Sequence, residues 1–561
     1  MPKPADRSAT LDCVFLFAIV VFSALPYLSQ LGFYSDDWTA QARLAQSTSQ
    51  GLRGTARDLV QGDPLGVVRP VPLAYLIVEF KVFGRHALGY HAMNTLVLAL
   101  AIVFLYLAIR ESGVGRWLAF AIALVYGMLP HYSTDRFWIS AHQATLSMAF
   151  AFIGMYALLR SLRCPETYSK RWTVLAFIAL LFSFLTYEVA VPMIMMFVIA
   201  IVVREYFRGR AASHLAIKHL GGVIVSLLLL LLVGVLKVRM QNRMTVHTHS
   251  VAHLAVVLLH LAQRSPHVLW LAARFNFWDF GLRLPAVFAG LHRHGAITFT
   301  GVAFSAAIAV AVAIYMWRVI DPLQLPNVRA SLWLLGMSFV LFGLGFAIFA
   351  LGDSDSTSVG LDNRTAIASA LGAACAWVGF AAFLCGAVRS QVFRARLLSL
   401  SIALICGTNC LVLYGTSFFW AGAVAQQSAI LHILGANVPT LPNGSVLLLD
   451  GYCRYYGPAV VFETNWDTTG AIQLLYHDKS LIADAVAPTL HLGETAVETS
   501  IYNERAGNYP YGDHLFVFHV GRQSLAPWPS KVAASTYLRA MDPKQDSGCP
   551  AAQEGIGEKV F

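Results

Sequence analysis

Two adjacent carboxylates, Asp36 and Asp37, stand in the stretch LGFYSDDWTA after an apolar run in which residues 13 to 35 carry no charge. A carboxylate there can take a proton from an attacking hydroxyl. The two together can offer hard oxygen to a divalent cation, or the pair can be a solvated cap for the next helix. Arg69 in VVRPVPLAY and Arg364 in LDNRTA bring planar, permanently charged forks suited to a phosphate. Arg364 heads an apolar segment whose helix N-terminus would add attraction for an anion; the alternatives are pairing with Asp362 or with a lipid headgroup. Glu188 is the only acidic residue between 172 and 203, which makes it either site support or turn polarity. His91 and Asn94, at i and i+3, share a helix face and serve either packing between spans or contact with acceptor or carrier. Asp135 and Arg136 read as a local ion pair. His247, His249 and His253 invite a zinc reading, but no neighbouring cysteine or acid completes a ligand set.

These residues need elements that hold them at a membrane boundary. The chain has 561 residues, 57% hydrophobic and only 12% charged, about half the charge a soluble surface requires. A spanning helix takes about twenty apolar residues. Eleven segments meet or approach that length: 11–31, 89–109, 117–130, 141–162, 172–186, 189–203, 219–236, 298–317, 331–351, 365–388 and 397–419. Lysine and arginine collect in alternate loops, from Lys3 and Arg7 to Arg389, Arg394 and Arg396, while the opposite short loops carry only Arg136 and Arg364. Positive charge is retained inside, so the N-terminus is expected to be cytoplasmic, and the Asp36–Asp37 loop and everything after residue 419 outside. Two long outer loops, 32–88 and 237–297, contain amphipathic stretches that would lie along the interface.

Residues 420–561 have the size of a small domain. A helical pattern leads into the strand-like runs SVLLLD, AVVFET and HLFVFHV, and the expected form is a small α/β domain. Residues 1–419 hold 32 Lys and Arg against 17 Asp and Glu, whereas the tail holds 8 against 13. The basic excess belongs to the membrane half, where membrane lipids or a lipid phosphate are the partners and nucleic acid is not. Of eight cysteines only Cys453 and Cys549 fall in the tail, where an oxidising exterior would permit a disulfide. The chain contains no nucleotide-binding loop in a credible context and no internal repeat of the transporter kind.

YSDDW after the first span, Arg69 with Pro70, GYHAMN at the head of the next span and TYEVAVP between two later ones together resemble the GT-C-fold glycosyltransferases. The likeness is to the polyprenyl-phosphate-sugar-dependent protein O-mannosyltransferases and their bacterial relatives, and it covers residues 25–205. Where that family often has a basic residue before the acid, this chain has Tyr187. The resemblance implies a polytopic GT-C-like helical fold and a base at Asp36, with Asp37 orienting the acceptor or helping to hold a divalent cation; no other cofactor is implied. It further implies a donor sugar on polyprenyl phosphate, inversion at the anomeric carbon, and a lipid, glycan or protein acceptor. The setting it implies is a bacterial inner membrane with a periplasmic active site. A transporter or flippase of lipid-linked saccharides, and an O-antigen polymerase or ligase, are the alternative readings.

An impermeant thiol reagent applied to intact cells should label cysteines placed in 352–364 and miss those placed in 205–217. The reverse pattern would invert the topology.

Overall fold

Apolar residues without charge over twenty or more positions have one way to pair their backbone in lipid, and the chain takes it. The computed structural model describes residues 7–47, 51–62, 68–164, 166–207, 263, 266–351, 357–486, 490–501 and 504–541. Among these, seven helices are long and apolar enough to cross a membrane, and three shorter apolar helices accompany them: Arg116–Met128, Glu188–Ile201 and Ser369–Cys385. These ten coincide with ten of the eleven expected spans; the eleventh, 219–236, lies outside the described residues, as do His247, His249 and His253. Arg116–Met128 is too short to span alone but is buried along almost its whole length, so its neighbours rather than its own length shield it. The protein is a multi-pass helical membrane protein with a C-terminal sheet region.

In chain order the elements used below are α1 (Arg7–Leu28), α2 (Asp37–Gln46), α3 (Leu52–Gly62), α4 (Pro70–Phe83), α5 (Ala87–Glu111), α6 (Arg116–Met128) and α7 (Thr134–Phe137). They continue with α8 (His142–Ser161), α9 (Glu166–Thr186), α10 (Val191–Phe207), α11 (Leu284–Arg293), α12 (Phe299–Val319), α13 (Val328–Leu351) and α14 (Ser369–Cys385). The last are α15 (Gln391–Asn437), α16 (Asn465–Tyr476) and α17 (Lys531–Ala540). Asp12, fully buried in α1, accepts from Arg116 of α6 at 2.7 and 2.8 Å, Tyr106 of α5 at 2.5 Å and Tyr315 of α12 at 2.9 Å. One carboxylate thus ties four helices together. Gly372 lets α14 lie against the backbone of Ser338 and Phe342 in α13, where a Cβ would collide, as small residues do in membrane bundles.

Helix α15 runs unbroken for 47 residues, so the boundary expected at residue 420 falls inside it. At 1.5 Å per residue it is about 70 Å long, roughly twice the hydrocarbon core, and it carries the chain out of the bundle. It delivers β1 (Val446–Asp450), whose VLLLD sequence is apolar on both faces because it lies centrally. The remaining strands are β2 (Tyr455–Tyr456), β3 (Ala459–Val460), β4 (Ile482–Ala485), β5 (His491–Leu492), β6 (Ala496–Ile501), β7 (Glu504–Pro510), β8 (Leu515–His519) and β9 (Ser524–Pro527). One sheet has the order β4-β1-β8-β9, with β1 parallel to β4 and β8, and with β8 antiparallel to β9. Strands β5, β6 and β7 form a separate antiparallel sheet. Chain leaving the carboxyl end of β1 passes through β2 and β3 to Glu463 and then α16. Cys453, in this crossover, is disulfide-bonded; its expected partner Cys549 lies outside the described residues.

Candidate active site

The turn that presents the carboxylate pair is tethered from several directions. His91 Nε2 of α5 meets the Gly32 carbonyl at 2.9 Å, and the Tyr34 hydroxyl donates to the Trp420 carbonyl of α15 at 2.9 Å. The Trp138 indole donates to the Tyr34 carbonyl at 3.1 Å. Ser35 adopts φ 47°, a left-handed conformation rare outside glycine, and its hydroxyl donates to Glu463 Oε1 at 3.0 Å. Such a conformation persists only where its surroundings over-determine it.

Within this turn the two aspartates separate in role. Asp37 is 2% exposed; one oxygen accepts from the Ser140 backbone at 2.8 Å and hydroxyl at 2.5 Å, the other from the Tyr34 backbone at 3.0 Å. Both of its oxygens are therefore already engaged. Asp36 is exposed, but into a hollow of about 390 Å³ lined by Ser35, Trp138, Asp362, Arg364, Glu463 and Trp466. Water reaches it while protein crowds it. Desolvation by the surrounding protein raises the affinity of Asp36 for its proton, and Glu463 adds to that, while Ser140, Arg364 and Trp138 pull the other way. Asp37 is raised too, by burial first and then by repulsion from Asp36.

Arg364 enters the same hollow, its guanidinium 4.9 Å from the centre of the Trp138 ring. Its neighbour Asn363 fixes the segment: the side-chain amide donates to the carbonyls of His131 at 2.9 Å and Ser358 at 2.8 Å, and its oxygen accepts from Ser133 and Thr134 at 3.1 and 3.2 Å. Arg69 lies 3.4 Å from Glu188, within reach of Gln143 at 3.5 Å, and 4.4 Å above the Tyr187 ring. Burial raises the Tyr187 hydroxyl, and Arg69 and Arg364 both oppose that rise.

His91 and Asn94 lie on the buried side of α5, where His91 holds Gly32 and Asn94 accepts from Tyr75 of α4 at 3.4 Å. Both act on the framework of the turn and neither lines the hollow. The expected Asp135–Arg136 pair does not form: Arg136 donates to the Gly127 carbonyl and lies over Tyr132, while the buried Asp135 carboxylate has no hydrogen-bond partner among the described residues. Consecutive residues of one helical turn point their side chains to different sides. Among the described residues no group of three His, Cys, Asp or Glu side chains is placed to hold a metal ion. A cation bridging Asp36 and Asp37 would have to displace the donors on Asp37.

Asp362, a candidate partner of Arg364, lines the hollow too, and residue type alone does not mark Glu463, Trp466 or Trp138. Glu463, 2% exposed, accepts from Tyr455 at 2.7 Å and from the Trp466 indole at 3.3 Å. The signal nearest to it is the capping box Thr464–Asp467, whose Asp467 accepts from the Glu463 and Thr464 backbones at 2.7 and 3.0 Å. That pattern announces a helix start; nothing in it announces a site.

No protein-family model and no curated protein matches the chain. Among solved structures it is similar to ArnT from Cupriavidus metallidurans bound to undecaprenyl phosphate, at 15% identity over 86% of each chain with a TM-score of 0.33. The apo state of the same protein matches at 15% identity over 85% of each chain with a TM-score of 0.34.

The division between the aspartates has a direct test in thermal unfolding of the purified protein. Asp37→Asn turns an amide towards backbone donors and should lower stability by about 1–3 kcal/mol, the cost of unmatched buried polar groups. Asp36→Asn should unfold close to wild type. Equal losses would show that the pair shares one structural role.

Proposed function

We propose that the chain is an integral-membrane glycosyltransferase that moves a sugar from a polyprenyl-phosphate donor to a hydroxyl of a lipid, glycan or protein. The reaction is placed on the outer face of a bacterial inner membrane, with the N-terminus cytoplasmic and the C-terminal region periplasmic. The observation that carries this reading is the meeting of Asp36 and Arg364 in one hollow, between the ends of apolar helices and the C-terminal region.

Transfer from a sugar phosphate needs little acid assistance, because the departing phosphate is a weak base. It needs a base for the incoming hydroxyl and cations for the charge that grows on the phosphate. Asp36 is the accessible carboxylate, made more basic by its crowded setting. Arg364 beside it, and Arg69 stacked on Tyr187, supply the cations. Glu188 holds Arg69 in place and Asp37 holds the turn. His91 and Asn94 support that turn and the α4–α5 contact from behind. Trp466 and Glu463 form the wall contributed by the C-terminal region, in position to meet an acceptor.

Sugar transfer from radiolabelled polyprenyl-phosphate sugar in detergent separates this reading from a transporter, which would give no product. Asp36→Asn keeps the shape but deletes proton acceptance, and transfer should fall by roughly 10² or more. Transfer equal to wild type in a folded Asp36→Asn would remove the base.

The pH profile offers an independent check. A raised carboxylate is protonated sooner as pH falls, so kcat/KM should drop on the acid side with a midpoint above the ordinary carboxylate range. Arg364 favours the ionised form of Asp36, so Arg364→Gln should move that midpoint higher. An unmoved midpoint would uncouple the two residues.

A further inference from the structure

A second and larger cavity, of about 680 Å³, opens at the other end of the elements that build the Asp36 hollow. Helices α2 and α16 lie side by side and run in the same direction. The Thr39 hydroxyl donates to the Trp466 carbonyl near their starts, and Gln46 Nε2 meets Gln473 Oε1 at 3.5 Å near their ends. Gly470 allows this contact, since a Cβ there would strike the backbone of Trp38 and Thr39. The amino ends of the pair frame the Asp36 hollow, and their carboxyl ends, with α4, frame the second cavity. By helix rise the two cavities are separated by about 14 Å along α2.

The chemistry of the second cavity is one-sided. Arg85, Lys81 and His477 line it together with the amides Gln46 and Gln473, and no lining residue is acidic. Arg85 and His477 are exposed. His477 also closes α16 in a left-handed conformation, φ 55°, where glycine or asparagine is the inexpensive choice. Histidine is among the residues that adopt this conformation more readily than most, and here it sets the residue in the cavity wall.

We propose that this cavity binds an anionic group, a phosphate or a carboxylate. Under the transferase reading it grips an acceptor or a lipid headgroup at a fixed distance from Asp36; the binding itself does not require that reading. Arg85 supplies the planar fork for two anion oxygens and His477 a further donor; Gln473 gives its amide hydrogens to the carbonyls of Lys479 and Leu481, and Gln46 gives one of its own to Gln473.

The test is calorimetric titration of inorganic phosphate into the full chain in phosphatidylcholine nanodiscs, in an Arg364→Gln background that silences the first hollow. Saturable binding is expected, and adding Arg85→Gln with His477→Gln should weaken it about tenfold or more, the scale of losing charge-assisted hydrogen bonds. His477→Asn, which suits the left-handed backbone, should weaken binding with the fold intact, so loss through misfolding is separable. Phosphatidylglycerol added to the discs should compete if the anion is a headgroup; lack of competition assigns the site to a soluble or glycan-borne anion. Unchanged phosphate affinity in the Arg85→Gln, His477→Gln protein would overturn the proposal and leave the basic residues as partners of the helix carbonyl ends. Because no sugar is transferred, Asp36→Asn should leave this titration as it is, so failure of the transferase reading and failure of this site give different results.

Discussion

Everything at the site depends on the way Asp37 is held. Three donors from Ser140 and Tyr34 fasten its carboxylate in the interior, and that fixes the turn in which Asp36 must face outward. The arrangement answers an electrostatic difficulty, because two neighbouring carboxylates in a crowded place repel each other and both resist ionisation. Engaging one with hydrogen-bond donors and turning the other to water and Arg364 lets the pair coexist. The same tethering sustains the left-handed Ser35.

The hollow that Asp36 faces belongs to no single part of the chain. Its wall combines the loop after α1, Trp138 before α8, the segment before α14, and Glu463 with Trp466 from the crossover after β1. Each contribution is fixed by its own local device: the four hydrogen bonds of Asn363, the stacking of Arg364 on Trp138, and the capping box at α16. A buried polar network of this kind is stable only when nearly every member is satisfied, which is why so many of these bonds reach backbone groups. Asp135 stands outside that pattern. Its buried carboxylate has no hydrogen-bond partner among the described residues.

Arg69 and Arg364, far apart in the chain, each rest on an aromatic ring, Arg69 on Tyr187 and Arg364 on Trp138 beside Asp36. Glu188 pairs with Arg69, which gives a purpose to an acid otherwise isolated in an apolar stretch. Tyr187 is the ring on which Arg69 rests.

By itself the sequence determined the membrane-spanning helices, because uninterrupted apolar runs have no other way to satisfy their backbone in lipid. It also marked Asp36, Asp37, Arg69, Arg364 and Glu188 as the residues to watch, since charge beside such runs is costly without a use. Only the tertiary structure decided which aspartate is available, that His91 and Asn94 serve the framework, and that Asp135 and Arg136 part company. It alone revealed Glu463 and Trp466, more than 400 residues along the chain from Asp36 yet in the same wall. The physical reason is one of range. Periodicity and hydropathy are local properties of a chain, whereas a site is made by side chains whose partners are chosen when distant elements pack.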